Sequence, residues 1–373
     1  MFSKGKIAAC LLLLLASLHL TLLLSQTRKL ALWFPEDPRH AEHVPLDHSR
    51  RRIPLPELTG SSNLRVVCPG NHTRQDDVVL DSRLAFAGGR NIPRIVHMTA
   101  KSRCLAPEFK ELTDKWKFPE YSVFFHDDQA VDRLLSKRYS EFPHLEKAIT
   151  CLSPLSGAAK ADLWRALLMW EYGGIYTDFD SVPNKFNGTT IQASDEAFFI
   201  VENFGIASQY FFAAAPRHPL FYMLVQTILT RLFAVENVDQ QYVPVVTGPH
   251  ALRDALAHFM FAHDLKRRNL ERKEEGLGPL NDWQQVTEGV HTGFQNRTVT
   301  ILGNRKNSDE YILRMGMGPK KKEQIYEEMG MTHFYNAVKN KKSSLNYETC
   351  LHRLYKKEPL EDYRADVENP VLW

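Results

Sequence analysis

Four side chains near the middle of the chain have the types and spacing to do chemistry together: Asp162, Arg165, Asp178 and Asp180. Asp178 and Asp180 follow a run of strand formers, Ile175-Tyr176-Thr177, and two carboxylates at i and i+2 near a strand end project to one side of the backbone. Such a pair repels itself, whereas a hard divalent ion or a donor-rich ligand between the two makes their proximity favourable. A polar turn after a strand satisfies the same two residues with no ligand at all. Asp162 and Arg165, three apart on a predicted helix, present a carboxylate and a guanidinium on one face. A solvated ion pair has the same spacing, and exposed pairs of that kind contribute little.

The elements that must position these groups can be read from Ser156 to Val182. Leu163, Leu167 and Trp170 recur at helical spacing, and Ala158, Ala159, Ala161 and Ala166 are small residues that favour a helix and permit close packing. Gly173 can adopt the left-handed conformation that closes a helix, and Gly174 lets the chain turn at once into a strand. The pattern predicts a helix, a glycine stop and a short strand ending at the two aspartates.

The whole string, A-x-x-x-D-x-x-R followed by Y-G-G-I-Y-x-D-x-D, resembles the sugar-nucleotide-binding DXD glycosyltransferases, the family of the yeast initiating α-1,6-mannosyltransferase and of inositol-phosphoceramide mannosyltransferases. The spacing from Asp162 to Asp178 is also similar to that of the glucosylating clostridial toxins. The resemblance spans Ile92 to Asn336 and is strongest from Ala158 to Asp180. It implies an α/β fold: a GT-A type, Rossmann-like nucleotide-diphospho-sugar transferase domain, behind an N-terminal transmembrane helix. It also implies catalytic roles for Asp162, Arg165, Asp178 and Asp180. Asp162 would accept hydrogen bonds from sugar hydroxyls, and the planar fork of Arg165 would contact sugar or phosphate oxygens. The cofactor implied is a divalent metal, Mn2+ or Mg2+, on Asp178 and Asp180 with His333 as a further ligand. Family members keep the anomeric configuration, which implies a retaining transfer of a hexose, and no residue marks itself as nucleophile.

The same resemblance makes Ile92-Pro93-Arg94-Ile95 the start of the first nucleotide-binding strand, with His97, Met98 and Thr99 lining the nucleotide. The tryptophan that often follows in the family is missing. A second strand at Tyr121 to Phe125 leads to Asp128, either a nucleotide contact or a helix N-cap. In open α/β sheets ligands collect beyond the carboxyl ends of strands, so both strand ends point to one cleft. Tyr172 and Gly174 of the motif complete the donor-binding set. Further strands are expected at Ala197 to Val201 and Gln209 to Ala215, with a helix over Phe221 to Phe233. Thr247-Gly248-Pro249 corresponds to a family turn that opens another helix, and is assigned to structure rather than chemistry. The family's Ser-Trp beyond His333 is absent.

Outside this region, 373 residues with 43% hydrophobic and 24% charged side chains suffice for one sizeable core or two small ones. A formal charge of +3 gives no case for nucleic acid as a partner. The basic runs Lys320 to Lys322 and Lys339, Lys341, Lys342 read as solvated faces or as contacts to an anionic donor or acceptor. Ile7 to Leu24 is an uncharged stretch of eighteen residues, long enough to span a bilayer and longer than a usual signal-peptide core, with a cleaved signal peptide as the alternative. Sequons at Asn71, Asn187 and Asn296 favour a lumenal or extracellular C-terminal portion. Cys68, Cys104, Cys151 and Cys350 could form two disulfides by any of three connectivities.

The expected organisation is therefore a cytoplasmic tail (1–6), a signal anchor (7–25), a stem (26–90), a catalytic domain (91–345) and a C-terminal extension (346–373). Leu265 to Gly276 is expected as a charge-rich surface insertion. The expected function is that of a single-pass type II Golgi membrane glycosyltransferase taking a nucleotide-diphosphate sugar and a glycan or glycolipid acceptor. A metal-dependent phosphohydrolase and a catalytically silent, membrane-anchored sugar-binding protein are the alternatives.

Overall fold

The computed structural model of the chain describes residues 52–60, 67–152, 157–201, 207–233, 243–261, 288–303 and 312–330. The tail, the expected anchor at 7–25, the stem up to 51, the charged insertion, His333 and the 346–373 extension lie outside the described residues. Among the described residues no helix is long and apolar enough to cross a membrane.

Eleven strands are described: β1 Thr73–Arg74, β2 Ile95–Thr99, β3 Cys104–Leu105, β4 Ser122–His126, β5 Gly174–Thr177, β6 Ser181–Pro183, β7 Ala197–Val201, β8 Ala207–Ala214, β9 Gly289–Thr292, β10 Thr298–Gly303 and β11 Leu313–Met315. Seven of them form one mixed sheet in the order β4-β2-β5-β8-β7-β10-β9. β4, β2 and β5 run parallel, β8 is antiparallel to both of its neighbours, and β10 is parallel to β7. β1 with β3, and β6 with β11, make two small antiparallel pairs.

Adjacent residues of a strand face opposite ways, and β8 feeds a core on each side of the sheet. Phe211 packs with Trp116, Phe186 and Phe198. Phe212 packs with Tyr176, Phe199 and Phe221, beneath the Pro219–Phe233 helix. The Gly157–Tyr172 helix is apolar nearly all round because it is covered nearly all round; Leu163, Trp164 and the run from Ala166 to Tyr172 are buried. Gly173 ends it at φ +63, where a Cβ would lie 2.6 Å from the Ala214 carbonyl oxygen. Gly174 begins β5 at φ +94, and a Cβ there would lie 2.7 Å from the Ile95 carbonyl oxygen. Both glycines are needed for the turn and for the close approach of β5 to its neighbours.

The described part of the expected stem is packed against the domain. Buried Arg103 donates to the Thr59 and Gln75 carbonyls and pairs with Asp77 at 3.0 Å. Asp77 in turn accepts from the Phe125 backbone N–H of β4, and Cys68 is disulfide-bonded to Cys104. Tyr172 donates its hydroxyl to the Ile53 carbonyl. Residues 52–60 and 67–90 thus pack on the folded body, although they precede the domain start expected at Asn91. Polar side chains of the body supply the partners that a Pro- and Arg-rich segment cannot supply for itself.

Beneath the parallel strands lies a pair of buried imidazoles. His97 Nε2 is 3.1 Å from the Gly173 carbonyl oxygen and His97 Nδ1 is 3.1 Å from His126 Nε2. A carbonyl only accepts, so His97 carries its proton on Nε2 and receives the His126 Nε2 proton at Nδ1. Burial pushes His97 down to about 3 and lowers His126 well below the usual histidine range. Burial also holds His218 at about 3. These imidazoles stay neutral in the folded chain while the unfolded chain protonates them below about pH 6.5. Stability is then complete above that pH and falls as the pH drops toward 3. Urea unfolding at pH 7, 6 and 5 is expected to show a loss approaching 1.4 kcal/mol per pH unit for each imidazole, and His97→Gln is expected to flatten the slope.

Candidate functional site

Arg165 gathers the site. Its Nη2 is 3.5 Å from Asp162 Oδ1, its Nη1 is 3.6 Å from Asp178 Oδ1, and Nη1 donates to the Gln209 carbonyl at 2.8 Å. The guanidinium also lies 4.5 Å from the centre of the Tyr176 ring, a cation–π contact. The helix supplies Asp162 and Arg165 from one face, β5 supplies Tyr176 and leads into Asp178, and β8 supplies the carbonyl. These two side chains therefore make a largely buried network rather than a solvated i,i+3 pair.

Asp162 is 6% exposed and accepts a 2.8 Å hydrogen bond from the Thr247 hydroxyl. Burial pushes its carboxyl up to about 6, opposed by the charge of Arg165 and by that hydrogen bond. Asp178 accepts from the Tyr176 hydroxyl at 2.6 Å and keeps a third of its side chain in solvent. Burial raises its carboxyl, Arg165 opposes the rise, and the nearby charge of Asp180 adds to it.

The two aspartates do not continue one strand face. β5 stops at Thr177, and the Ser181 N–H donates to the Asp178 carbonyl at 3.0 Å, so the acids occupy a turn held by the Trp116 indole on the Ser181 carbonyl. Asp180 turns inward, its side chain 2% exposed, ion-paired with Lys322 and 3.4 Å from the Tyr326 hydroxyl.

The donor-binding set is only partly assembled. Asp162, Arg165 and Asp178 meet; extending the β2–β5 register by two residues sets Thr99, partly exposed at the end of β2, level with Asp178. His97 and Met98 are fully buried, one in the imidazole pair and one in the apolar core, so neither lines a ligand surface. Tyr172 is likewise turned away toward Ile53, and Gly174 serves strand packing. Asp128 is exposed in the first turn of the Asp128–Leu135 helix, whose N-cap is Asp127, accepting from the Ala130 N–H. Thr247, Tyr176 and Tyr326 belong to the site without a sequence signal that marks them for it, and Lys322, read from sequence as solvated or as a contact to an anionic ligand, meets Asp180 instead. A threonine in a Thr-Gly-Pro turn looks structural, and Lys322 in a basic run looks solvated; only the distances reveal their partners.

Asp178 and Asp180 offer hard carboxylate oxygens whose mutual repulsion a divalent cation would relieve, and such ions commonly bind through one or two carboxylates with substrate phosphates completing the shell. The residues fit such an ion where Lys322 gives up Asp180 Oδ2. Among the described residues no group of three or more His, Cys, Asp or Glu is placed to hold a metal by itself, so the fit rests on this pair.

The acid–guanidinium cluster lies at the carboxyl end of β5 in a mixed, parallel-rich α/β sheet, where ligands of open α/β sheets collect. Residues 107–196 match the family described as glycosyltransferase sugar-binding region containing DXD motif. The chain is 35% identical over 66 residues to an initiation-specific alpha-1,6-mannosyltransferase of Candida albicans (strain SC5314 / ATCC MYA-2876), covering 18% of this chain and 17% of that protein. It thus spans well under two thirds of that relative. Among solved structures it is similar to the PaToxG glycosyltransferase, at 16% identity and a TM-score of 0.37, over 55% of this chain and 84% of that one.

Removing the Thr247 hydroxyl should make the Asp162 carboxylate harder to ionise. Thr247→Val is expected to raise the Asp162 midpoint from about 6. A lost hydrogen bond of about 1–1.5 kcal/mol corresponds to a rise of roughly one pH unit. Carboxyl-carbon NMR titration of the two proteins checks it.

Proposed function

We propose that the protein is a metal-dependent glycosyltransferase of GT-A type that moves a hexose from a nucleotide-diphosphate sugar to a glycan or glycolipid, with retention of anomeric configuration. The single observation that carries this reading is the convergence of Asp162, Arg165 and Asp178 around one guanidinium at the end of β5. Asp162, ionised above about pH 6, would accept hydrogen bonds from donor hydroxyls, with Thr247 and Arg165 fixing its two oxygens. Arg165 would hold sugar or phosphate oxygens while remaining tied to the Gln209 carbonyl. Asp178, the more solvent-accessible acid, would face the ligand, steadied by Tyr176. A Mn2+ or Mg2+ ion bound through Asp178 and Asp180 would supply charge neutralisation for a diphosphate leaving group. His333 remains a proposed further ligand.

The proposed setting is the Golgi lumen, with a single type II anchor at 7–25. The eighteen-residue uncharged stretch supports it, as do the sequon asparagines Asn71, Asn187 and Asn296, all exposed on the folded body. In secretory cells the full chain is expected to shift in mobility after peptide N-glycosidase treatment and to be shielded from protease in sealed microsomes. An unglycosylated, protease-sensitive chain would refute this placement.

The activity is tested with a panel of sugar nucleotides, acceptors and Mn2+. Chelation is expected to abolish transfer, and Asp180→Asn to lower kcat by roughly a hundredfold or more, the scale of losing one electrostatic stabiliser. Turnover indifferent to both changes would sink the metal assignment.

A further inference from the structure

Asp180 is already neutralised by a side chain of the protein itself. The Lys322 ammonium is in contact with Asp180 Oδ2, and the two side chains are 15% and 2% exposed. Lys322 Nζ also lies 5.3 Å from the centre of the Tyr326 ring, one turn further along the same helix, and the Tyr326 hydroxyl approaches the same carboxylate oxygen at 3.4 Å.

This contact is built by the whole segment from Leu313 to Gly330. β11 pairs with β6 in the register Met315 to Ser181, placing it beside the acidic turn, and the Gly316 N–H donates to the Asp180 carbonyl at 2.8 Å. The Pro319–Glu328 helix then buries Ile325 and Tyr326, the latter against Phe109 and Phe179. Lys101 donates to the Gly330 carbonyl at 2.9 Å and holds the far end. Lys320, by contrast, is exposed, and Lys321 reaches only Glu108 at 3.7 Å on the surface. One lysine of the run is singled out by its position on the helix.

We infer that Lys322 is an internal cation that competes with a divalent ion for Asp180, and so sets how tightly this site takes its metal. The inference rests on the metal-dependent reading proposed above and deepens it. A compact ammonium and a divalent ion both seek the same carboxylate oxygen, and repulsion between them excludes both at bonding distance. Metal loading at Oδ2 therefore requires Lys322 to leave that oxygen. Lys322 is on this view a positioning and affinity-setting residue, separate from the acids that would contact the metal.

The experiment is Mn2+ binding to the purified full chain without nucleotide, followed by isothermal titration and by the free-Mn2+ electron paramagnetic resonance signal. It compares wild type, Lys322→Met, Lys322→Gln and Asp180→Asn, with thermal melts confirming that each is folded. Both Lys322 variants are expected to bind Mn2+ at least about tenfold more tightly than wild type, and Asp180→Asn to bind it more weakly. The methionine and glutamine variants differ in polarity but both lack the charge, so agreement between them isolates the ammonium. Equal affinity in wild type and both Lys322 variants, lost in Asp180→Asn, would overturn the competition while leaving the metal site standing. No Mn2+ binding by any protein would overturn the competition and the metal reading together.

Discussion

Burying carboxylates is what the rest of this site must compensate. Asp162, Asp178 and Asp180 crowd the carboxyl end of β5, and a carboxylate out of water is tolerable only when cations and hydrogen-bond donors surround it. Two cations do this from two different helices. Arg165 serves Asp162 and Asp178 from the central helix, and Lys322 serves Asp180 from the Pro319–Glu328 helix. Hydroxyls of Thr247, Tyr176 and Tyr326 fill in the remaining directions. The result is a charged cluster whose members neutralise one another, and the surrounding elements bring those partners in.

That requirement ties distant parts of the chain to a few residues of β5 and the turn after it. The helix carrying Arg165 must end sharply so that β5 can start beside β2, hence two glycines whose Cβ positions would overlap backbone. β8 must lie antiparallel to β5 to lend the Gln209 carbonyl, and the turn after Thr177 must open so that β11 can pair with β6. The imidazole pair under β2 and β4 performs a related service one layer down, since His97 caps the Gly173 carbonyl that the helix end leaves over. The position the family would assign to nucleotide contact is here used for structure, and Thr99 is the residue of that trio left at the surface.

The domain's extent shows where composition misleads. The proline- and arginine-rich stretch before Asn91 has little periodicity and reads as a spacer, yet its described part is fastened by buried Arg103, by Asp77 and by the Cys68–Cys104 bond. Irregular backbone can belong to a folded body when side chains from elsewhere satisfy its polar groups.

The sequence by itself determined the helix, the glycine stop and the strand leading to the acids, because those follow from short-range rules of spacing and backbone freedom. It also determined the α/β character and the pairing of Asp162 with Arg165, which adjacent helical turns dictate. What only the tertiary structure decided is which partners those groups acquire. Thr247 lies 85 residues from Asp162, and Tyr326 lies 146 from Asp180. No local pattern distinguishes that threonine from a turn former, or Lys322 from its exposed neighbours. Their roles come from packing that brings separate segments within hydrogen-bond reach, and from burial that makes each charge depend on the partner it finds.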